Sequence, residues 1–316
     1  MDKNKCCKKT SIGGQALIEG VMMKGVSEIA MAVRLPDGSI DVEKWAIKSP
    51  KDRPFWFRVP FLRGIFNFVE TLLSGYKTLM KSAEKSGFEE EEEPSKFDKW
   101  LSEKLGDKLM AVVSVISLVL SVVLALGLFM YLPAAFVKLL EYLGLPLDGF
   151  KTLIEGVVKM AVFILYIWLT SKLKDIKRVY GYHGAEHKSI ACYEHGEELT
   201  VENVRKHSRF HPRCGTSFMF LVLLISVLVF SIFQVPWDNL LLRVGIKLLL
   251  LPLIVGIGYE MIKLAGRHNN FFTRIFSAPG LWIQRITTNE PDDGQIEVAI
   301  QSLKAVLPHD DEDDNW

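Results

Sequence analysis

The chain has 316 residues, of which 49% are hydrophobic and 24% are charged, and its formal net charge is +1. A mean hydropathy of +0.19 is too apolar for an ordinary soluble protein, and the apolar residues are concentrated in blocks. The near-neutral balance does not by itself identify a partner. The blocks make the lipid bilayer, and other membrane proteins, the expected partners, and nucleic acid is not expected.

Residues 1–107 form a predicted cytoplasmic N-terminal region. Residues 29–35 and 39–47 are strand-like, and Pro36-Asp37-Gly38 between them supplies a turn, so the sequence predicts a β-hairpin. The glycine-rich stretch at 13–20 lacks the Gly-Lys-Ser/Thr ending of a phosphate-binding loop. We therefore interpret its glycines as permitting a tight backbone turn.

Residues 59–82 repeat apolar side chains at spacings of three and four, which predicts a helix. Because charged residues are interspersed, one interpretation is an amphipathic helix that lies in the membrane interface. The other is a helix that packs on the protein's own bundle. The five glutamates at 89–93, followed by Pro94, predict an acidic linker before the first span.

Residues 108–265 form a predicted membrane domain of four transmembrane helices. The apolar runs are long enough, at about 20 residues each, to cross a hydrocarbon core of about 30 Å. We place the spans at residues 110–137, 153–171, 216–235 and 240–264. The second and fourth spans carry charges near their ends, where long side chains can reach the interface.

The positions of Lys and Arg predict the orientation of these spans. The segment 172–214 and the residues that flank the first and last spans are rich in basic side chains, whereas the other two connections are poor in them. The positive-inside rule therefore places both termini and the segment 172–214 in the cytoplasm of a multi-pass cell-membrane protein. Cytoplasmic cysteines stay reduced, which argues against a disulfide framework.

Residues 266–316 form a predicted cytoplasmic helical region with an acidic tail. Pro279 is expected to end one helix, and Pro291-Asp292-Asp293 is typical of the start of another. Apolar residues at helical spacing follow that start. The fold class predicted for the whole chain is thus a mainly α membrane protein with an N-terminal hairpin and a helical C-terminal extension.

The segment 172–214 is also a predicted metal-ligand loop. His183 and His187 are four apart, so they share one helix face if the second span continues through them. His211 and Cys214 come just before the third span, and the adjoining ends of neighbouring spans meet at one membrane face. Imidazole and thiolate are ligands that zinc prefers. We predict a divalent metal, zinc first, bound by His183, His187, His211 and Cys214.

Glu186 completes the order His-x-x-Glu-His, which resembles the inverted zinc-protease motif in which the glutamate activates water. We therefore predict Glu186 as the catalytic residue. Two interpretations stay open. If all four ligands bind, the tetrahedral site is closed and structural, whereas three ligands leave a position for water and give Glu186 a role.

Four stretches resemble the YqhQ-like family of bacterial membrane proteins. They are Gly-Gly-Gln-Ala-Leu-Ile-Glu-Gly-Val-Met-Met-Lys-Gly at 13–25, Tyr-His-Gly-Ala-Glu-His-Lys at 182–188, His-Pro-Arg-Cys-Gly-Thr-Ser-Phe at 211–218 and Ser-Ala-Pro-Gly-Leu-Trp-Ile-Gln-Arg at 277–285. The resemblance extends over nearly the whole chain. It implies a multi-span bacterial membrane protein that carries a domain of unknown function and is described as a metal-dependent enzyme.

Three classes of function are compatible with these patterns. The first is a metal-dependent hydrolase at the cytoplasmic membrane face that acts on a peptide or a lipid-linked substrate, where basic residues near the site could hold an anionic headgroup. Those basic residues are Arg205, Lys206, Arg209 and Arg213. The second is a membrane scaffold or assembly factor with a structural metal. The third is a transporter. Only the charges within the spans favour it, and the sequence shows no internal repeat that would support it. Of these charges, Glu155 and Lys159 are four apart and predict a local ion pair.

Overall fold

The computed structural model describes residues 8–48, 52–87, 116–147, 149–233, 235–267, 270–308 and 314. This part of the chain is mostly helical, with an antiparallel sheet near its N-terminus. The predicted acidic linker at 89–93, the first six residues of the first predicted span and most of the acidic tail lie outside the described residues.

The sheet contains four antiparallel strands in sequential order. They are β1 (Gly13–Leu17), β2 (Gly20–Lys24), β3 (Glu28–Arg34) and β4 (Ile40–Ala46). The predicted hairpin is confirmed as β3–β4. The predicted tight turn lies at Ile18 and Glu19, where Glu19 adopts a φ of 51°. The strands on either side of that turn were missed, because Gly-Gly-Gln-Ala has little β propensity and no alternation.

The sheet is covered on both faces, and nearly all residues of β2 and β3 are accordingly apolar. Met31 and Val33 pack with Leu79 on one face. Met23 and Ala30 point to the other face, into a core that also holds Leu303. Because successive side chains of a strand point to opposite faces, a strand buried on both sides reads as a continuous apolar run.

The helices follow the sheet in chain order. They are α1 (Leu62–Lys85), α2 (Ile116–Tyr142), α3 (Lys151–Thr170), α4 (Lys174–Glu194), α5 (Val201–Lys206), α6 (Gly215–Ile232), α7 (Leu240–Arg267), α8 (Phe271–Thr287) and α9 (Asp293–Lys304). Four of them, α2, α3, α6 and α7, are long and apolar enough to cross a membrane. They coincide with the predicted spans to within a few residues.

Helix α1 has one side against the protein and one side exposed. A Cβ at Gly64 would lie 2.7 Å from Tyr259 Cβ, and one at Gly75 would lie 2.3 Å from Gln15 Oε1, so these glycines seat the helix on α7 and on the sheet. Arg63 forms a bidentate ion pair with Glu260 of α7. The opposite side exposes Phe66, Val69, Leu72, Leu73, Tyr76 and Met80. One face thus packs on the bundle, as the second interpretation has it, and the other remains apolar.

The ion pair predicted between Glu155 and Lys159 is wrong. The Glu155 carboxylate instead binds Arg243 and Lys247 of α7, and all four side chains are buried. Lys159 Nζ lies 5.6 Å from the Phe230 ring centroid. A neighbouring helix that offers a guanidinium overrides the i, i+4 pairing because burial strengthens charged hydrogen bonds.

The C-terminal region differs from its prediction at one proline. Pro279 lies inside α8 and does not end it. The residue beside it, Gly280, sits so close to Ser217 of α6 that a Cβ there would lie 2.5 Å from the Ser217 Cβ, and this packing keeps the helix continuous. The predicted start at residues 291–293 is confirmed, because Asp292 caps α9 and accepts a hydrogen bond from the Gln295 amide.

Candidate metal centre

The helix that carries the His-Gly-Ala-Glu-His motif is not a continuation of the second span. Leu173 is extended, with φ −67° and ψ 135°, and it separates α3 from α4. The expectation of one continuous helix is therefore wrong. Helix α4 packs against β1 and against α9, which itself packs on β2 and β3, and the α4 residues from Gly181 to Cys192 are mostly buried. This places the motif in a solid core at the end of the bundle where α6 begins.

Two glycines let α4 approach the C-terminal region closely. A Cβ at Gly184 would lie 2.0 Å from the backbone oxygen of Asn289, and one at Gly181 would lie 2.4 Å from Gln295 Oε1. The Asn289 amide also donates to the Tyr180 carbonyl at 2.8 Å. The glycine inside His-Gly-Ala-Glu-His is thus required by backbone packing, since any side chain there would push the two segments apart.

Both motif histidines are oriented by backbone carbonyls. The Nδ1–H of His183 donates to the Thr287 carbonyl at 2.8 Å. The Nδ1–H of His187 donates to the Arg209 carbonyl at 2.6 Å. Metal-binding histidines almost always use their second nitrogen in this way, which fixes the tautomer and the direction of the lone pair on the first. Each Nε2 is therefore the atom available as a ligand.

The ligand atoms of His183, His187 and Cys214 all lie within 4.8 Å of one another. The His183 Nε2 is 3.2 Å from the Cys214 Sγ, and the two imidazole centroids are 4.4 Å apart. Bond lengths of about 2.0 Å to nitrogen and 2.3 Å to sulfur put the nitrogen and sulfur ligands of a tetrahedral zinc about 3.6 Å apart. This donor set fits a zinc-like cation held by three protein ligands.

Cys214 immediately precedes α6 and is almost fully buried. Burial favours the neutral thiol, but the imidazoles of His183 and His187 hold the pKa of Cys214 well below its usual value. Burial likewise opposes protonation of His183, yet the adjacent thiolate raises the pKa of that imidazole to about 9. The two histidines therefore favour the thiolate, which is the form that binds a metal.

Glu186 is buried beside this cluster, with its Oε2 3.9 Å from the His183 Nε2. Burial raises the pKa of Glu186, although the two histidines oppose the shift. The carboxylate lies against β1, because a Cβ at Gly14 would be 2.9 Å from the Glu186 Cγ, and the Gly14 backbone hydrogen-bonds to it. A carboxylate next to three ligands, but outside their group, is positioned to exchange a proton with a group bound there.

His211 lies beside the cluster and outside the group of three. Its ring centroid is 5.5 Å from that of His187, while its Nε2 lies 3.2 Å from the Arg213 guanidinium and 3.8 Å from Glu194. Burial lowers the pKa of His211. The backbone of His211 is held at both its amide and its carbonyl by the Gln284 side chain.

Several positions that shape the site do not carry ligand chemistry, and ligand spacing did not find them. Gln284 is completely buried and also donates to Ser217 at 2.8 Å. The Thr287 carbonyl accepts the hydrogen bond from His183, and Gly14 leaves room for Glu186 because it has no side chain. Gln284 and Gly14 fall within the family-like stretches at 277–285 and 13–25, so those stretches were the only signal in the sequence.

The four basic residues expected around an anionic headgroup do not lie together. Arg205 pairs with Asp293, Lys206 pairs with Glu202 and Arg209 pairs with Glu290, all of them at the surface. Arg213 is different, because it lines a cavity of about 440 Å³ together with Pro212 and residues of α7 and α8. That cavity also receives Lys9, Thr273, Arg274 and Ser277.

Comparison with known proteins places the chain among relatives without a stated activity. The family described as "Protein of unknown function (DUF1385)" matches residues 59–309. "Uncharacterized protein YqhQ" of Bacillus subtilis (strain 168) is 37% identical over 296 residues, which are 93% of this chain and 92% of that protein. No solved structure matches the chain significantly. These matches confirm the family resemblance carried by the four stretches.

Proposed function

The chain belongs to the DUF1385 family of proteins of unknown function, and on that premise we propose that it is a metal-dependent hydrolase of the cell membrane. Four helices long and apolar enough to cross a bilayer support the membrane assignment. The observation that carries the enzymatic assignment is the group of His183, His187 and Cys214 with Glu186 beside it. Catalytic zinc sites combine three protein ligands, an open position and a nearby base in this way.

His183 and His187 would hold the cation through Nε2, and Cys214 through its thiolate. The two carbonyl hydrogen bonds at Nδ1 support this assignment because they leave no freedom in either ring. When bound, the cation would supply Lewis-acid stabilisation of charge on a carbonyl or phosphoryl oxygen. His211 then serves the neighbouring turn, where Gln284, Glu194 and Arg213 hold it.

Glu186 is the proposed general base. Burial raises the pKa of Glu186 toward neutral pH, and this makes the carboxylate a better proton acceptor than an exposed glutamate. The Gly14 backbone fixes this side chain from the sheet. Glu186 would take a proton from the attacking water and return it to the leaving group, while the surrounding core excludes bulk solvent.

The proposed substrate is an anionic lipid or lipid-linked molecule. The cavity of about 440 Å³ supports this, since it combines Lys9, Arg213 and Arg274 with apolar residues of α7 and α8. It lies where α7 ends and α6 begins, which is the level at which a headgroup would meet the protein. Helix α1 packs on α7, and its exposed apolar side, which faces away from α7, would add to the membrane contact.

The cytoplasmic orientation of the site remains part of the proposal. It is supported by the basic residues in 172–214 and after the last span. The N-terminal sheet, α4 and α9 share one core, so they must lie on the same side of any bilayer that the four apolar helices cross.

The test compares wild-type protein with Glu186→Gln and His187→Ala after purification in detergent. Metal is measured by elemental analysis, and hydrolysis is measured by mass spectrometry after incubation with phosphatidylglycerol vesicles and with vesicles of total bacterial lipid. We expect wild type and Glu186→Gln to hold equal metal and only wild type to release products. His187→Ala should lose metal.

Two outcomes contradict the proposal. If purified wild-type protein holds no metal, the proposed metal site does not exist. If wild type and Glu186→Gln release equal amounts of product, or if neither releases any, the hydrolase proposal is contradicted. A scaffold with a structural metal would then be the function that remains.

A further inference from the structure

We propose that this protein binds a second, structural divalent metal ion, of which zinc is the best fit, through Cys192, Glu197 and His207, with His195 as the fourth ligand. This site is separate from the centre at His183, and it does not depend on the proposed hydrolase activity. It lies where α4 ends and α5 turns back across it. Helix α4 thus contributes to two groups of nitrogen and sulfur donors, one at its middle and one at its C-terminal end.

The donor atoms already lie together. One ligand atom from each of Cys192, Glu197 and His207 is within 4.8 Å of the others, and the His207 Nε2 is 3.2 Å from a Glu197 carboxylate oxygen. The ring centroids of His195 and His207 are 4.8 Å apart. The ligand atoms of a tetrahedral zinc are about 3.3–3.6 Å apart, so small side-chain rotations complete the set.

The local fold explains why these residues converge. Gly196 adopts a φ of +67°, which ends α4 and reverses the chain, so that the Glu197 amide donates to the Cys192 carbonyl. Thr200 then caps α5, which ends one residue before His207. The turn and the short helix together return His207 to the last turn of α4.

His195 is prepared in the same way as the histidines of the first centre. Its Nδ1–H donates to the Ala191 carbonyl at 2.7 Å, which leaves Nε2 as the free ligand atom. This residue is exposed, so a small adjustment that keeps the Nδ1 hydrogen bond meets little steric resistance. The fourth ligand would close the tetrahedron, and closed sites are structural.

The Cys192 thiol makes only weak contacts within the part of the chain that the structure describes. The side chain is completely buried, and its Sγ lies 4.0 and 3.6 Å from the Glu197 and Glu198 carbonyls. Burial raises the pKa of this thiol to about 11, so it is not a nucleophile at neutral pH. Cation binding would displace the thiol proton, and one thiolate with one carboxylate would neutralise the divalent charge.

A metal at this position would stiffen the first centre. It would tie His207 to α4, and the chain continues from there to Arg209, whose carbonyl orients His187. Because a coupling free energy between two binding sites is reciprocal, loss of either metal should weaken binding of the other.

The experiment is metal counting on untagged, full-length protein in detergent, loaded with zinc and dialysed. We expect two zinc ions per chain in wild type, one in Cys192→Ala, one in Cys214→Ala and none in the double variant. Ser189→Ala, which removes a buried polar atom from the same helix, is the matched control and should keep two. Helical content from circular dichroism checks that each variant is folded.

Cobalt substitution provides a second measurement. Each proposed site has one thiolate, so the sulfur-to-cobalt absorption should fall to about half in Cys192→Ala and in Cys214→Ala. The proposal is overturned if Cys192→Ala binds as much zinc as wild type, or if wild type binds one ion that Cys214→Ala abolishes. Because the two cysteines are tested separately, failure of the second site is distinguishable from failure of the first.

Discussion

Gly184 is the position at which one added methyl group tests the geometry of the metal centre. A Cβ there would lie 2.0 Å from the Asn289 backbone oxygen, whereas ordinary contacts begin at 3.4 Å. The two segments would have to separate by the difference, roughly 1.4 Å, because neither the helix nor a backbone oxygen can rotate away. Thr287, which orients His183, lies two residues before Asn289 and would move with it.

The Gly184→Ala substitution has one stabilising effect and two adverse effects. Gly to Ala in a helix interior stabilises by about 1 kcal/mol through propensity. Overpacking against backbone costs about 1–3 kcal/mol. A shift of this size would also break the 2.8 Å bond from His183 Nδ1 to the Thr287 carbonyl, and loss of such an outer partner lowers metal affinity about 10- to 100-fold. We expect Gly184→Ala to lower stability by up to about 2 kcal/mol and zinc affinity by at least about tenfold.

The assay is zinc competition with a chromophoric chelator, together with a thermal unfolding midpoint, on full-length protein in detergent. Gly245→Ala is the matched control, since Gly245 also lies inside a helix and a Cβ added there would meet none of the described residues within 4 Å. That variant should match wild type in zinc affinity, and its unfolding midpoint should not fall, because only the gain in helix propensity applies there. Wild-type affinity in Gly184→Ala would refute the close approach of α4 to the 287–289 segment.

Four further outcomes follow from the same contacts. Because His183, with a pKa of about 9, must lose its proton to bind metal, apparent zinc affinity should rise at least about tenfold per pH unit from pH 6.5 to 8.5 and level off above 9; a chelator titration in which affinity does not change over that range would contradict this. Glu155→Gln leaves two buried cations unpaired, which costs about 3–5 kcal/mol of unfolding free energy and should lower the unfolding midpoint by several degrees. In the control Glu141→Gln, whose ion pair is partly exposed, the unfolding free energy should change by about 1 kcal/mol or less. Gly14→Ala should displace the Glu186 carboxylate and abolish product release while zinc content, measured by elemental analysis, stays at the wild-type level. Gln284→Ala removes three hydrogen bonds that hold His211 and Ser217, so limited proteolysis near residue 211 should accelerate.

Local patterns predicted the long helices and one hairpin of this fold. The apolar runs predicted the four long helices because a span of this kind is defined by length and hydropathy, which are properties of a continuous segment. The β3–β4 hairpin followed from its turn residues, and α1 followed from its helical period. The pairing of His183 with His187 was also local, since positions four apart on a helix share a face.

The tertiary structure decided how these elements meet. The start of α4 as a separate helix and the continuity of α8 through Pro279 are not reported by any sequence period, and the first hairpin was missed because its residues have little β propensity. The same is true at the site. Cys214 joins the two histidines while His211 turns to Glu194, because Gln284 holds the His211 backbone from α8.

Residue types and spacing therefore determined that this chain carries the donors for a metal, since side-chain chemistry is a property of each residue. Which donors share a point in space was settled only by packing. Glycines at 14 and 184 allow two backbones to come closer than any side chain permits, and that approach sets the positions of Glu186 and His183. A sequence shows such a glycine as the absence of a side chain, and only the neighbour that fills the space shows why the absence is needed.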